Sequence, residues 1–409
     1  MDDRMHRRIG LISSVLGLCA LAAWLLGPLL ACADACFADY ETLRGSTLGM
    51  LEAPDARLNA WILAWVQHWW VAGTGPLFDA NVFYPAPNAL AGSEHLLGVA
   101  LLIWPLRLLG ANAILLHQSA LVLSFLLLGL TTAALVRWLC GSTWAGFVAG
   151  AVAMLMPWRI SELSHVQLLN AQWFPLVWLG IGRILHGDTA RRTVVWLSVV
   201  VTLQVLSSFY LAYFLLMSSL VLVLAVWIRN GVGREALLRL TAAALAPAIL
   251  LVLAALPYLE WRAASGFVPL ANLFDSVRPI DAWSVIGPRL ALGWRGAGPR
   301  PISYEVPLAV FALALVALFA GARAGGRTAP VQGFVRALWA MSLVAFVLAL
   351  GRHLELGGAS LPLPAEWLAH LVPGFSTLRN PLRWALVIGL AFPVLAGIGV
   401  AAIERVVVE

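Results

Sequence analysis

The chain contains no lysine: all 26 of its basic residues are arginine. Charge of either sign is scarce, at 11% of 409 residues, where soluble domains carry about 25%. Apolar residues make up 61%, where roughly 45–50% is usual. So few polar side chains cannot cover a soluble protein of this size, which excludes an ordinary soluble enzyme and a disordered chain alike. A mean hydropathy of +0.89 is that of a polytopic membrane protein. A sequence pI near 9.6 would suggest nucleic acid in a soluble protein. Here it fits arginine at cytoplasmic membrane edges, and no nucleic-acid partner is expected. Four cysteines are too few for a disulfide framework. Cys19 and Cys140 lie in or beside apolar runs and read as small buried hydrophobes. Cys32 and Cys36 follow the first run and could pair on an oxidising face, or stay free.

Several motifs are also missing. Neither a P-loop nor a GxGxxG turn is present, which removes the two strongest phosphate-loop signals. The absence of HExxH and GxSxG takes support from zinc-protease and hydrolase readings. No internal repeat is visible, which weakens an inverted-repeat transporter.

What is present is a series of apolar runs. The first, Ile9 to Leu29, is longer than a signal-peptide core and reads as a retained anchor. Others follow at about 113–138, 142–157, 167–185, 193–208, 210–228, 237–257, 305–321, 333–350 and 382–403. Each is near the ~17–25 residues needed to cross a bilayer, or slightly short of it. The block 193–228 is too long for one helix and is split near Ser207-Ser208-Phe209-Tyr210. The run 96–109 holds Pro105 and Arg107 and reads as re-entrant or interfacial. With the N-terminus in the cytoplasm and 96–109 not crossing, 14 arginines fall in short inner segments. The expectation is an all-α polytopic bundle of about ten spans, forming one domain over 1–409, in the inner (plasma) membrane with both termini inside. The long polar segments 31–95, 258–304 and 352–381 then share the outer face with the turn 158–166, and 14 of the 20 acids fall on that face, counting Glu305 at its edge. A passive bundle needs only short turns, so large loops on one side suggest a site.

The first outer loop carries most of the chemistry. Leu58, Ile62, Trp65 and Trp69 recur at helical spacing, which predicts a short aromatic helix in the interface plane. Asp55, after Pro54, is either the cap of that helix or a general base at the membrane surface. Asn59, one turn on, is placed to orient it, and His68 lies further along. Glu94-His95 is a solvated cap, a ligand pair or a substrate contact. In Trp158-Arg159-Ile160-Ser161-Glu162-Leu163-Ser164-His165-Val166-Gln167, Glu162 and His165 share a helical face, and so do Arg159 and Glu162. The segment is either an internal Arg159–Glu162 pair or, with Gln167, a polar cluster facing the cavity of Asp55. Asp55, Glu94, His95, Glu162 and His165 could together hold a divalent metal such as Mg2+ or Mn2+, although no compact ligand motif is present. Arg379 and Arg383 oppose the positive-inside trend. They either snorkel to lipid phosphates or grip an anionic headgroup.

The order of one span, a long outer loop with an early acid and in-plane helices, then a multispan bundle, resembles the GT-C superfamily of integral-membrane glycosyltransferases. That superfamily includes the dolichyl-phosphate-mannose–protein mannosyltransferases and their bacterial relatives. Four segments look like a bacterial branch of it: the stretch from Asp55 to His68, Phe83-Tyr84-Pro85-Ala86-Pro87-Asn88, Ser164-His165-Val166-Gln167-Leu168 and Leu378-Arg379-Asn380-Pro381-Leu382-Arg383-Trp384. The resemblance covers roughly residues 9–403. It implies a polyprenyl-phosphate-linked sugar donor, an extracytoplasmic glycan, glycolipid or protein acceptor, and Asp55 as the base. It departs from the pattern in having no paired acids directly after the first span, since Asp34 and Asp39 stand apart. The competing expectations are a lipid or glycan transporter, and a non-catalytic partner in envelope-glycan assembly. The span centres are nearly free of charge, with His117 and Gln204 the main polar intrusions, which counts against ion coupling.

Overall fold

The computed structural model describes residues 3–37, 53–73, 75–265, 276–277, 304–321, 329–356, 359–378 and 380–408. The chain is mostly helical. After α1 (Asp3–Leu30) come α2 (Ala53–Ala72), α3 (Leu97–Leu108), α4 (Ala113–Cys140) and α5 (Thr143–Leu155). Two short turns of helix follow, α6 (Pro157–Ser161) and α7 (Val166–Leu169). The bundle continues with α8 (Trp173–Leu185), α9 (Arg191–Ser207), α10 (Phe209–Asn230), α11 (Arg234–Ser265), α12 (Leu308–Gly321) and α13 (Ala329–Ala349). It ends with α14 (Pro364–Leu371) and α15 (Ala385–Val408).

Six of these helices are long and apolar enough to cross a membrane: α1, α4, α10, α11, α13 and α15, the last taken with its leading turn from Pro381. The four other runs expected to cross are helical but shorter. They form α5 and α8 of 13 residues each, α12 of 14 and α9 of 17. At 1.5 Å per residue a 13-residue helix reaches only ~20 Å, against a ~30 Å hydrocarbon core. The local causes are specific. Pro157 forces Met156 into an extended conformation, ψ 133°, and stops α5. Ser208, at φ −164°, separates α9 from α10 where the split was expected, and its hydroxyl accepts from Leu211 N–H at 3.2 Å. Helix α3 has 12 residues and is likewise too short to cross.

The span at α15 is the centre of the bundle, 83% buried, whereas that of α11 is 11% buried and lies at the periphery. Helices α4 and α5 meet through glycine. A Cβ on Gly150 would sit 2.5 Å from the Gly129 carbonyl oxygen, so only a bare backbone permits that approach. Cys32 and Cys36 are joined in a disulfide that closes the turn after α1. Asn112 Nδ2 donates to Asp34 O at 2.9 Å, and the Gln118 amide donates to Cys36 O, which pins that turn to the start of α4.

The helical bundle fits the all-α expectation, and it carries one small addition. A small sheet joins two of the long polar segments. β1 (Ser276–Val277) pairs in parallel with β2 (His353–Leu356), with Ser276 opposite His353. β2 pairs antiparallel with β3 (Ala359–Pro362), with Leu354 opposite Leu361.

Helix α2 also turns a different face inward from the expected Leu58–Ile62–Trp65–Trp69 stripe. Ala56, Asn59, Ala60, Ile62, Leu63, Val66 and Gln67 are buried, while Leu58 is 41% exposed. Two polar residues go inward because each finds a carbonyl: Asn59 Nδ2 donates to Ser164 O at 3.1 Å and Gln67 Nε2 to Ala100 O at 3.0 Å. The tryptophans instead hold down the following loop. Trp61, Trp65 and Trp69 donate their indole N–H groups to Asn81 Oδ1, Leu77 O and Gly75 O at 3.3, 2.9 and 2.9 Å.

Candidate functional site

Chain connectivity brings the start of α2, the 156–172 turn, the start of α10 and the approach to α15 to one end of the bundle. There, four charged side chains form a line. Asp55 stands in the first turn of α2, the third helical residue and therefore not its cap. Its Oδ2 lies 3.1 Å from His165 Nε2. His165 Nδ1 lies 2.9 Å from Glu162 Oε2, a close charge contact at an angle poor for a hydrogen bond. Glu162 Oε1 accepts from the Tyr304 hydroxyl and lies 3.6 Å from Arg383 Nε. Exposure falls along the line, from 56% at the Asp55 side chain through 23% at His165 to 5% at Glu162. Tyr304 closes the buried end at 1%.

The local sequence explains each placement. Pro157 starts α6, and Glu162 follows its last residue with non-helical backbone, φ −107° and ψ 21°, which turns its carboxylate inward. His165 N–H donates to Glu162 O at 2.8 Å, a tight turn that stacks the two side chains. Asn59 bonds the carbonyl of Ser164, the neighbour of His165. The first turn of α2 is thus docked at two adjacent points, one ionic and one neutral. Arg383 is steadied by Tyr210, over whose ring its guanidinium carbon sits at 5.4 Å. The Tyr210 hydroxyl donates to Asn380 O at 3.3 Å and accepts from Asn380 N–H at 3.2 Å.

The electrostatics follow from these partners. The His165 contact, chiefly its hydrogen bond, holds Asp55 below its ordinary value against the opposing effect of burial. Burial pulls His165 down, but the two carboxylates outweigh it and raise the imidazole to about 9. Burial pushes Glu162 up, yet His165, Arg383 and Tyr304 together hold it below the usual carboxylate range. At neutral pH the line reads minus, plus, minus, plus from Asp55 to Arg383, and sums to zero. A buried cluster tolerates four charges only when they cancel in this way.

Glu94 serves the same end of the bundle differently. Its two oxygens accept from Phe209 N–H at 3.1 Å and Tyr210 N–H at 3.0 Å, capping α10. Burial raises it to about 7. His95 is buried against Phe78, Phe209 and Tyr258, with centroids 6.3, 4.9 and 6.2 Å away. Its Nδ1 accepts from Leu97 N–H at 3.2 Å, and burial lowers it to about 4, so it is neutral.

The expected site residues therefore separate. Asp55, Asn59, Glu162, His165 and Arg383 come together, with Glu94 behind them. His68 is exposed, its ring 5.9 Å from Trp65, and takes no part. Arg159 does not pair with Glu162. It is wholly buried, donating to Leu169 O at 2.6 Å and Ser124 Oγ at 3.0 Å, with its guanidinium carbon 3.9 Å from the Phe125 ring centre. The Gln167 side-chain oxygen has no hydrogen-bond partner among the described residues. Arg379 lies outside the described residues. The five expected metal ligands do not converge as one set. His165 turns each nitrogen to a carboxylate, Glu94 caps a helix, and His95 is walled in by rings. Among the described residues no three His, Cys, Asp or Glu side chains are placed to share an ion.

Tyr304, Tyr210 and Asn380 were missed by sequence reasoning. One signal was available: tyrosine is rare here, at six residues, and two of the six stand at the starts of apolar runs. Comparison with protein-family models finds no match, and neither does comparison with curated proteins.

Proposed function

We propose that the chain is a membrane glycosyltransferase that moves a sugar from a polyprenyl-phosphate-linked donor to an extracytoplasmic acceptor. The observation that carries this reading is the exposure gradient of the charged line. Asp55 presents its carboxylate at the open end, and among the described residues its only polar partner is His165, through Oδ2. Its other oxygen, Oδ1, would take the proton. An acceptor hydroxyl gives that proton to Asp55 as its oxygen bonds the anomeric carbon. The bond from that carbon to the phosphate oxygen breaks, and the electron pair leaves on the phosphate. Arg383, one-fifth exposed at its side chain, stands on the same cluster to meet that charge. Asp55 then returns its proton to water.

The reading places this end of the bundle on the outer face of the inner membrane, with ten helices crossing or partly crossing and both termini inside. The Cys32–Cys36 disulfide supports that orientation, because structural disulfides persist where the compartment is oxidising. The arginines of the 183–192 and 229–239 segments support it from the other end. The test is transfer from a radiolabelled polyprenyl-phosphate hexose in proteoliposomes holding the full chain. Asp55→Asn should lower turnover by at least ~100-fold with folding and expression intact. Turnover within a few-fold of the native rate would remove Asp55 from the chemistry. Flux of the lipid across the bilayer with no covalent product would replace the reading with transport.

A further inference from the structure

The loop between α2 and α3 is tightly held yet ends in two bare aromatic rings. Its base is fixed on every side. The three indole N–H groups of α2 hold its first half, and Asp79 Oδ1 accepts from Asn88 N–H at 2.7 Å. Leu90 N–H reaches Phe78 O at 3.0 Å, and the Phe78 ring packs on Tyr258 at 5.6 Å between centroids. The outer end of α11 clasps the loop: Glu260 Oε2 accepts from Asn88 Nδ2 at 2.9 Å, and the Trp261 ring lies against Gly92.

Against this anchoring, the tip points outward. Phe83 is 73% exposed and Tyr84 96%. Phe83 also adopts the left-handed backbone region, φ 57°, which a bulky residue ordinarily avoids. A floppy loop would fold two such rings back onto the aromatic cluster at its base. This one is braced to keep them out.

We infer that Phe83 and Tyr84 are an anchor that seats in the headgroup region of the bilayer beside α11. Three observations select that occupant. Helix α11 is the most exposed of the candidate spans, and its flank runs through Leu253, Leu256 and Leu259 toward the residues that clasp the loop. The exposed tip therefore continues an apolar surface that only lipid covers in a spanning helix. Phe followed by Tyr, one ring wholly apolar and one with a hydroxyl, suits a depth where one end is dry and the other wet. The acids nearest the loop, Asp79 and Glu260, are both engaged by Asn88, and neither lies within the Phe83-Tyr84 tip itself. The anchor would fix the loop that joins Asp55 to Glu94 at the membrane surface, and it stands whether or not the chain transfers sugar.

The test uses the full chain in lipid nanodiscs of phosphatidylcholine and phosphatidylglycerol. A nitroxide is placed through Tyr84→Cys in a Cys19→Ala/Cys140→Ala background, keeping the Cys32–Cys36 disulfide. A second label through Leu253→Cys serves as the lipid reference. Collision with oxygen should exceed collision with a water-soluble nickel chelate at position 84, at a depth shallower than position 253. Chelate collision equal to that of a free aqueous nitroxide would overturn the proposal, as would low collision with both reagents, which would mean cover by protein. Hydroxyl-radical footprinting of the unmodified chain in the same nanodiscs is the second measurement, for the case where the label disturbs folding. Tyr84 should be oxidised severalfold less than its exposure in the isolated fold dictates. Oxidation at the rate of a fully wet tyrosine would equally overturn it.

Discussion

Glu162→Gln tests the charged line at its middle. In the native chain His165 stays protonated up to about pH 9, above its ordinary 6.5. At ~1.4 kcal/mol for each tenfold change, the two carboxylates favour the imidazolium by about 3 kcal/mol after the cost of burial. His165 is only 23% exposed, so solvent screening removes little of this. The substitution would keep the shape and remove one of the two charges, while the burial that disfavours the imidazolium stays. The midpoint of His165 should then fall by at least ~1 pH unit. The assay is the pH dependence of the histidine ring nitrogen shifts in nanodiscs, with the His165 signal assigned by its loss in His165→Gln. The sign carries over to stability. A raised folded value stabilises fully below about 6.5, and the contribution drains away as pH climbs through about 9. Native protein should therefore lose thermal stability across that window, and Glu162→Gln should lose less. An unchanged His165 midpoint in the variant, with parallel stability curves, would refute the arrangement of charges described above.

Asn59→Ala should release one of the two points that dock α2 and cost about 1–2 kcal/mol, seen as a lower melting temperature with the α2 amides exchanging faster. Tyr304→Phe leaves Glu162 short of a buried donor, and a loss of similar size is expected, about 1–3 kcal/mol, with Glu162 titrating at higher pH. Glu94 has a raised value near 7, so the folded chain should lose stability as pH rises from about 4.5 through 7. Glu94→Gln should flatten that slope in a melting series over the same range.

The helical class and the break at Ser208 were legible because an apolar run and a small polar residue act locally. The lengths of α5 and α8 were less so, because Pro157 and the Asn170–Gln172 turn cut helices whose hydropathy runs on. Glu162 and His165 could be paired from their spacing alone. The Asp55–His165 contact could not, since it spans more than a hundred residues and depends on Asn59 finding the Ser164 carbonyl. Arg159 shows the opposite error. Its spacing from Glu162 allowed an ion pair, but the side chain is drawn to the Leu169 carbonyl and the Phe125 ring. The inward face of α2 was misjudged because hydropathy ranks tryptophan above asparagine, whereas burial here follows which polar group has a partner.

The charged line also has an order in time. Its exposed acid comes from position 55, its middle from 162 and 165, and the groups that balance its buried carboxylate from 304 and 383. During synthesis the first two parts are made, together with every helix through α11, before either Tyr304 or Arg383 exists. Until then Glu162 has only His165 to offset its charge. A chain stalled after α11 therefore holds Asp55, His165 and Glu162 without the two groups that seal the cluster. On the proposed function, competence would come only with α15, and a polypeptide divided between α11 and α12 should be silent in either half and recover when both are made together.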